Sequence, residues 1–134
     1  AVGIAQNALE ESVAYAKTRE QFGKPIIENQ AIKMMLADMQ IGTEAGRQLV
    51  FGAMRLLDAG VKKVSMEASC AKTFCSDNAV KVTTDAVQIF GGYGYSKEYP
   101  VEKLMRDCKV FQIFEGTNQI QRMTIAGVLD KEYK

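Results

Sequence analysis

The chain is 134 residues long, which is enough for one domain with one hydrophobic core. Its composition, 47% hydrophobic and 25% charged, is that of an ordinary globular protein. A formal net charge of +1 provides no basic field for nucleic acid, and no apolar run approaches the length of a membrane span, so neither is expected as a partner.

The chain starts within a helical pattern and without Met, so we expect a piece of a longer protein, although processing would also explain this start. It has three cysteines at wide spacing, which argues against a disulfide framework. Because it has no histidine, neither a metal site nor a Cys-His nucleophile is predicted. Small buried cysteines in a reducing compartment are expected.

Three long amphipathic helices are predicted in the first 90 residues. Apolar residues recur at helical spacing over residues 4–17, from 29 or 30 to 59, and over residues 63–90. Gly60 lies where a helix-terminating glycine is expected, and the short link predicts that the second and third helices pack antiparallel. No stretch alternates convincingly between apolar and polar residues, so no strand is predicted. The second helix carries small residues that would let another backbone approach closely, namely Gly42, Ala45, Gly46, Gly52 and Ala53.

Two glycine-containing segments interrupt this pattern. A glycine and a proline predict a loop over residues 18–25, in which Arg19 either offsets the dipole of the first helix or binds an anion such as a phosphate. Phe22 is interpreted as a plug over the core. Residues 88–95 end the third helix, and their glycines either stop that helix or bring the backbone close to a ligand.

Two shorter helices complete the prediction. One covers residues 100–108 and starts at a proline, and the other covers residues 118–129 with Thr117 as its N-cap. The inward face of the last helix is predicted to hold Ile120, Met123, Thr124 and Gly127. The predicted fold is therefore all-α, an up-and-down bundle of three long helices plus a short helix and a C-terminal helix, in one domain over residues 1–134.

A single carboxylate, Glu115, follows the apolar run at residues 111–114 and precedes the last helix. A carboxylate held against apolar side chains has a raised proton affinity and can act as a general base. A Glu just ahead of a helix is also commonly a solvated charge that the helix dipole favours. The residues alone leave both interpretations open.

Four stretches, in this order, resemble the C-terminal helical domain of the acyl-CoA dehydrogenases, in particular the short-chain, butyryl-CoA type. They are TREQFGKP at 18–25, QIFGGYGY at 88–95, EYPVEKLMRD at 98–107 and FQIFEGTNQIQR at 111–122. The resemblance covers essentially the whole chain. It implies an FAD-dependent homotetramer that oxidises an acyl-CoA substrate to its trans-2-enoyl form, with electron-transferring flavoprotein as redox partner. The compartment it implies is either the bacterial cytoplasm, which we favour, or the mitochondrial matrix.

The resemblance also implies roles for particular residues. Glu115 matches the catalytic base that removes the α-proton, its backbone N–H would bind the thioester carbonyl, and Gly116 is the second substrate-binding residue. An aromatic and aliphatic run before it, Phe111, Ile113 and Phe114, would keep water out. The resemblance also implies three groups of FAD contacts. The pyrophosphate and adenine side is contacted by Arg19, Gln21 and Phe22. The FAD of a neighbouring subunit is contacted by Gln88, Gly91 and Gly92, and the flavin is contacted by Thr117 and Gln119.

The N-terminal helical domain and middle β-domain of this family are not in the chain, so we expect the chain alone not to be an active dehydrogenase. Two other hypotheses stay open. The first is a non-catalytic helical assembly module of a flavoprotein, for which a carboxylate after an aromatic run has no purpose. The second is the same fold acting on a different substrate, such as a nitroalkane or another acyl thioester, and a Glu rather than an Asp at position 115 favours the thioester.

Overall fold

Five helices dominate the computed structural model, which describes residues 1–133. They are α1 Val2–Thr18, α2 Gln30–Asp58, α3 Ser65–Phe90, α4 Val101–Val110 and α5 Asn118–Glu132. The links hold two 3₁₀ helices, Ile26–Glu28 and Gly91–Tyr95, and two short strands, β1 Glu20–Gln21 and β2 Lys24–Pro25. The predicted all-α bundle is confirmed.

The α3 helix lies at the centre of the bundle, and each of the other four helices packs against it. Its inner surface is formed largely by small residues, and Ala79 and Ala86 are completely buried. The facing surface of α1 is similar, because Ala8 and Ala16 are also completely buried. Small side chains leave little volume between the helices, so their backbones can approach closely.

The α2 helix approaches α3 closely at two of its glycines. The Cys75 thiol donates a hydrogen bond to the carbonyl of Gly46 at 3.3 Å. A Cβ on Gly42 would lie only 2.1 Å from Oδ1 of Asn78. Side chains of α3, those of Cys75 and Asn78, lie against these two glycines, so the predicted close approach of another backbone to the small residues of this helix stays a prediction.

A small antiparallel hairpin replaces the loop that the sequence predicted after α1. Strand β1 pairs with β2 so that Glu20 lies opposite Pro25, and Phe22 and Gly23 form the turn. Both turn residues have positive φ, 54° and 77°, as a type I′ turn requires. Strands of two residues are too short to show alternation in the sequence. Phe22 at the tip is 97% exposed, so its interpretation as a plug over the core is wrong.

The α5 helix is rotated about its axis relative to the prediction. Ile120 and Met123 are 58% and 70% exposed, and Thr124 and Gly127 are exposed as well. The predicted inward face is therefore wrong. Asn118 is buried and hydrogen-bonded to side chains of α3, and this anchor sets the rotation of the helix. The residues that turn towards the bundle are Asn118, Gln121, Ile125 and Val128.

Gly94 is expected to tolerate no larger residue. It is buried, and a Cβ there would lie 2.6 Å from the carbonyl oxygen of Val87 and 2.8 Å from Cβ of Phe90. Because backbone must then move, Gly94→Ala is expected to destabilise the fold by about 1–3 kcal/mol, measured by thermal unfolding. The control is Gly52→Ala in α2, where a Cβ meets nothing within 4 Å, and helix propensity predicts a gain of about 0.5–1 kcal/mol. Equal unfolding midpoints for the two variants would contradict this prediction.

Candidate active site

Glu115 lies in the turn between α4 and α5. Its φ is 53° and that of Gly116 is 84°, so two consecutive residues are left-handed. For a residue with a Cβ this conformation costs about 1–2 kcal/mol, and such strain is concentrated at functional sites. The hydroxyl of Thr117 accepts a hydrogen bond from the backbone N–H of Ile120 at 3.3 Å, so the predicted N-cap of α5 is confirmed.

Side chains hold the carbonyl groups of this turn. The Lys72 ammonium donates to the carbonyl of Gly116 at 2.8 Å, and Nε2 of Gln121 donates to the carbonyl of Glu115 at 3.2 Å. Within residues 1–133, the backbone N–H of Glu115 donates no hydrogen bond. That N–H is therefore available to a bound molecule.

An apolar cavity of about 290 Å³ adjoins Glu115. Its wall is formed by Ala1, Val50, Ala71, Lys72, Cys75, Ser76, Phe111, Phe114 and Glu115. The Glu115 side chain is exposed, as are Ile113 and Phe114, while Phe111 is half-buried. The described residues thus form one side of a site. The apolar run before Glu115 was expected to keep water out, but within residues 1–133 it leaves Glu115 exposed.

A polar cluster supports the turn from the side of α3. We name it the Asn118 cluster, and its members are Lys72, Ser76, Asp77, Gln112, Asn118 and Arg122. Asn118 is only 3% exposed, its Oδ1 accepts from Lys72 at 2.6 Å, and its Nδ2 donates to Asp77 at 2.7 Å. The Asp77 carboxylate also accepts from Gln112 at 2.7 Å and from Arg122 at 2.6 Å. The sequence analysis did not identify this cluster.

Burial and hydrogen bonding oppose each other at Asp77. Burial raises the pKa of this carboxyl, but hydrogen bonds from Arg122, Gln112 and Asn118 outweigh it, so the pKa lies below its ordinary value. Burial lowers the pKa of Lys72, and the charge of Asp77 opposes that shift. The stabilisation by charged Asp77 is therefore fully present above its unfolded-state pKa of about 3.9 and is lost as the pH falls through the lower folded-state pKa.

A second cleft, of about 250 Å³, brings together five of the residues predicted to bind FAD. They are Arg19, Gln21, Gln88, Gly91 and Gly92. The guanidinium carbon of Arg19 lies 5.4 Å from the ring centre of Tyr93, and no carboxylate among residues 1–133 forms a salt bridge with Arg19. A Cβ on Gly91 or Gly92 would meet nothing within 4 Å, so this backbone is open to a ligand.

Aromatic residues form the support of this second cleft. The rings of Tyr15 and Phe90 stack with centroids 4.0 Å apart, and the Tyr15 hydroxyl donates to the carbonyl of Phe90 at 3.3 Å. Tyr99 packs edge-on against both rings. This contact ties the end of α3 to α1 and thereby holds Arg19 near the glycines.

The remaining two residues predicted to contact the flavin lie elsewhere. Thr117 and Gln119 line a third cavity, of about 310 Å³, beside the Asn118 cluster. Phe22 projects from the hairpin tip and lines neither cavity. The structure therefore divides the predicted FAD contacts into two separate groups. Sites for whole small molecules have volumes of about 300–1,000 Å³, and the volumes of these two cavities lie near the lower end of that range or below it. Each cavity therefore fits part of a dinucleotide.

The cysteines are free thiols, and burial raises the pKa of both Cys75 and Cys108. Residues 1–133 contain no group of three or more acidic, cysteine or histidine side chains arranged to hold a metal ion. None of the helices described over this range has the length and hydropathy of a membrane span.

A strained turn with a carboxylate beside an apolar cavity characterises this helical domain, and Glu115 is its candidate base. Comparison with known proteins then gives the family. Residues 1–129 match the family described as acyl-CoA dehydrogenase, C-terminal domain, so the chain belongs to the acyl-CoA dehydrogenase family. The resemblance drawn from four sequence stretches is confirmed.

Relatives are similar over nearly the whole chain. An acyl-CoA dehydrogenase of Bacillus subtilis is 57% identical over 129 residues, covering 96% of this chain and 34% of the relative. The caffeyl-CoA reductase-Etf complex subunit CarC of Acetobacterium woodii is 50% identical over 131 residues, covering 98% of this chain and 34% of the relative. The chain thus spans about one third of the length of these relatives.

Solved structures share the fold. Butyryl-CoA dehydrogenase from Megasphaera elsdenii superposes with a TM-score of 0.93 at 52% identity, covering 96% of this chain and 33% of that one. An FAD complex of PigA superposes with a TM-score of 0.91 at 32% identity, again covering 96% and 33%. The family thus includes FAD-binding members with this helical domain.

Proposed function

We propose that this chain is the base-bearing domain of an FAD-dependent dehydrogenase that converts a short-chain acyl-CoA to its trans-2-enoyl-CoA. The observation that carries the proposal is the left-handed turn at Glu115, which places a carboxylate and an unbonded backbone N–H beside an apolar cavity. The names of relatives, an acyl-CoA dehydrogenase and a butyryl-CoA dehydrogenase, support the substrate class.

Glu115 has two roles in this proposal. Its carboxylate accepts the α-proton of the thioester, and its backbone N–H donates to the thioester carbonyl oxygen, on which negative charge develops as the proton leaves. A hydrogen-bond donor fixed in advance at such an oxygen stabilises the transition state more than the ground state. Gly116, which directly follows, lets the backbone turn at φ 84° so that both groups face the same substrate.

The cofactor proposed for this domain is FAD, which when bound accepts the β-hydrogen as a hydride. The residues present fit its chemistry. Among residues 1–133 no carboxylate forms a salt bridge with Arg19, and its forked guanidinium suits a pyrophosphate. The open backbone at Gly91 and Gly92 lets a ligand come close, and the N-terminus of α5 near Thr117 favours an anionic group.

The two separate groups of contacts support the assignment of this domain to two different FAD molecules. Thr117 and Gln119 lie on the same turn and helix start as Glu115, so they contact the FAD that serves Glu115. The cleft of Arg19 and Gln88 is a different one, and we assign it to the FAD of a neighbouring subunit. Phe22, exposed at the strained hairpin tip, would pack against the same neighbouring subunit's FAD site.

This sharing requires an oligomer, and we propose a homotetramer with electron-transferring flavoprotein as the redox partner. The Acetobacterium woodii relative is a subunit of a caffeyl-CoA reductase-Etf complex, and this supports that class of partner. Because that complex is named for caffeyl-CoA, the same relative also supports the alternative that this fold acts on another acyl thioester. Large apolar side chains are exposed on α2, including Met34, Ile41 and Phe51, and they are compatible with the hypothesis of a non-catalytic assembly module. That hypothesis, however, gives the Glu115 carboxylate no role.

The deciding experiment uses the full-length parent enzyme with Glu115 replaced by Gln. Butyryl-CoA is mixed with the enzyme, and bleaching of the flavin absorbance is followed in a single turnover. Rapid bleaching in the variant would rule out Glu115 as the base.

Gln88→Ala in the full-length parent is expected to weaken FAD retention, because Gln88 lines the cleft assigned to the neighbouring FAD. Loss of one hydrogen bond predicts about a tenfold rise in the FAD dissociation constant, measured by flavin fluorescence on dilution. Gln48→Ala in α2 is the control, because Gln48 is exposed and its side chain hydrogen-bonds Glu44 on the same helix. Equal FAD retention in both variants would refute the cross-subunit assignment.

A further inference from the structure

Lys72 connects the central helix to the turn that carries Glu115. It lies on α3, and its ammonium donates to the carbonyl of Gly116 at 2.8 Å and to Oδ1 of Asn118 at 2.6 Å. The first acceptor belongs to the residue directly after Glu115, and the second belongs to the first residue of α5. One cation therefore joins both sides of the turn to the helix on which the bundle is built.

We propose that Lys72 is a positioning residue that fixes the left-handed turn at Glu115 and Gly116 and thereby the direction of the Glu115 carboxylate. The inference rests on the proposed function, in which Glu115 is the base. It adds a residue that lines the apolar cavity but acts through the backbone of the turn, to which its ammonium donates, and not by donating to the substrate or the cofactor.

The backbone geometry explains how a lysine can have this effect. The carbonyl of Gly116 belongs to the peptide plane after that residue, so Lys72 fixes the orientation of this plane. The carbonyl of Glu115 belongs to the preceding plane, which Gln121 holds at 3.2 Å. With both planes held, Gly116 keeps its φ of 84°, and the backbone of Glu115 is held on its carbonyl side, which limits relaxation of its φ of 53° and keeps its Cα–Cβ bond in one direction.

Other groups do not replace Lys72 in this role. Nε2 of Gln121 lies 3.5 Å from the carbonyl oxygen of Gly116, at the limit of a hydrogen bond, whereas Nζ of Lys72 lies 2.8 Å from it. Lys72 is therefore the main side-chain donor to this carbonyl. The left-handed conformation of Glu115 is strained and would relax without a restraint. The Asn118 cluster in turn holds the second acceptor of Lys72 in place, because Asn118 also binds Ser76 and Asp77.

Lys72→Met in the full-length holoenzyme tests the proposal, because methionine keeps an unbranched apolar side chain but removes the donors. A displacement of a reacting group by about 1 Å costs about 10²-fold in rate. We therefore expect the rate constant of flavin reduction by butyryl-CoA to fall about 10- to 100-fold. FAD content and the dissociation constant of butyryl-CoA are expected to change less than about threefold, since the ammonium of Lys72 donates to the turn and methionine keeps an apolar side chain at the cavity wall.

Two further variants separate positioning from simple stabilisation. Lys72→Arg retains the charge and the donors, and it is expected to recover most of the lost rate. Lys81→Met removes an exposed lysine of the same helix, which pairs with Asp85 at 2.9 Å, and it is expected to leave the rate unchanged. Where Lys72→Met cannot be purified with FAD, Lys72→Gln, which keeps an uncharged donor on a shorter stem, is expected to give an intermediate rate.

A reduction rate in Lys72→Met and Lys72→Gln equal to that of Lys81→Met would overturn the proposal. A lower melting temperature or FAD loss, with a normal rate per bound flavin, would overturn it as well, since it indicates a structural role only. Glu115→Gln separates this failure from that of the proposed function. If that variant is inactive while Lys72→Met is normal, only the positioning role fails, whereas a normal rate in Glu115→Gln refutes the base assignment itself.

Discussion

Glu115→Gln in the full-length parent is expected to reduce the rate constant of flavin reduction by about 10²–10⁴-fold, the contribution of a positioned general base. Glutamine has nearly the shape of glutamate, but its amide cannot accept the α-proton. The backbone N–H of residue 115, which donates no hydrogen bond within residues 1–133, is retained in the variant. Binding of butyryl-CoA is therefore expected to change little while reduction becomes slow.

The control for this experiment is Glu67→Gln. Glu67 is an exposed carboxylate in the first turn of α3, where it lines neither the apolar cavity nor the two polar clefts. Its variant is expected to reduce its flavin at the parent rate. If both variants are equally fast, Glu115 is only a solvated charge near a helix start, and the assembly-module hypothesis gains support.

Asn118→Leu is expected to give the largest loss of stability among single changes near the site. The leucine would fit in size but leave Lys72 and Asp77 each without one hydrogen-bond partner. Because Lys72 keeps the carbonyl of Gly116 and Asp77 keeps Gln112 and Arg122, neither group is left wholly unsatisfied, and a loss of about 1–3 kcal/mol is expected. The measurement is the thermal unfolding midpoint of the parent enzyme at a fixed scan rate.

Ser76→Ala provides the graded comparison for Asn118→Leu. The Ser76 hydroxyl donates chiefly within its own helix, to the carbonyl groups of Lys72 and Thr73, so its removal is expected to cost less than about 1 kcal/mol. Both variants shorten or remove one polar side chain of the same cluster. Similar midpoints in the two variants would show that Asn118 does not hold the cluster together.

The helices could be predicted because their signal is local. Each apolar stripe spans several turns, and glycines at 60 and 91 end helices where the chain takes positive φ, so the bounds came within about three residues. The hairpin at residues 20–25 gave no signal in the sequence, because a strand of two residues is too short to show an alternation of apolar and polar residues. The exposed position of Phe22 follows from that hairpin and could not be anticipated without it.

The face of α5 and the Asn118 cluster were missed for a related reason. The stripe of Ile120 and Met123 looks like a core face by periodicity, but a buried asparagine at the first position of the helix decides its rotation. The partners of that asparagine, such as Lys72, lie more than 40 positions earlier in the sequence. Local pattern cannot pair residues so far apart, whereas the family resemblance selected Glu115 without needing those contacts.

The division of the proposed FAD contacts between two clefts has a genetic consequence. A subunit that lacks Glu115 still carries an intact Arg19 cleft, and a subunit that lacks Arg19 still carries an intact Glu115 turn. Under the proposed assignment, a mixed oligomer of these two inactive forms contains some sites in which every required residue is present. Two defective alleles of this kind would therefore complement each other, while two alleles altered in the same cleft would not.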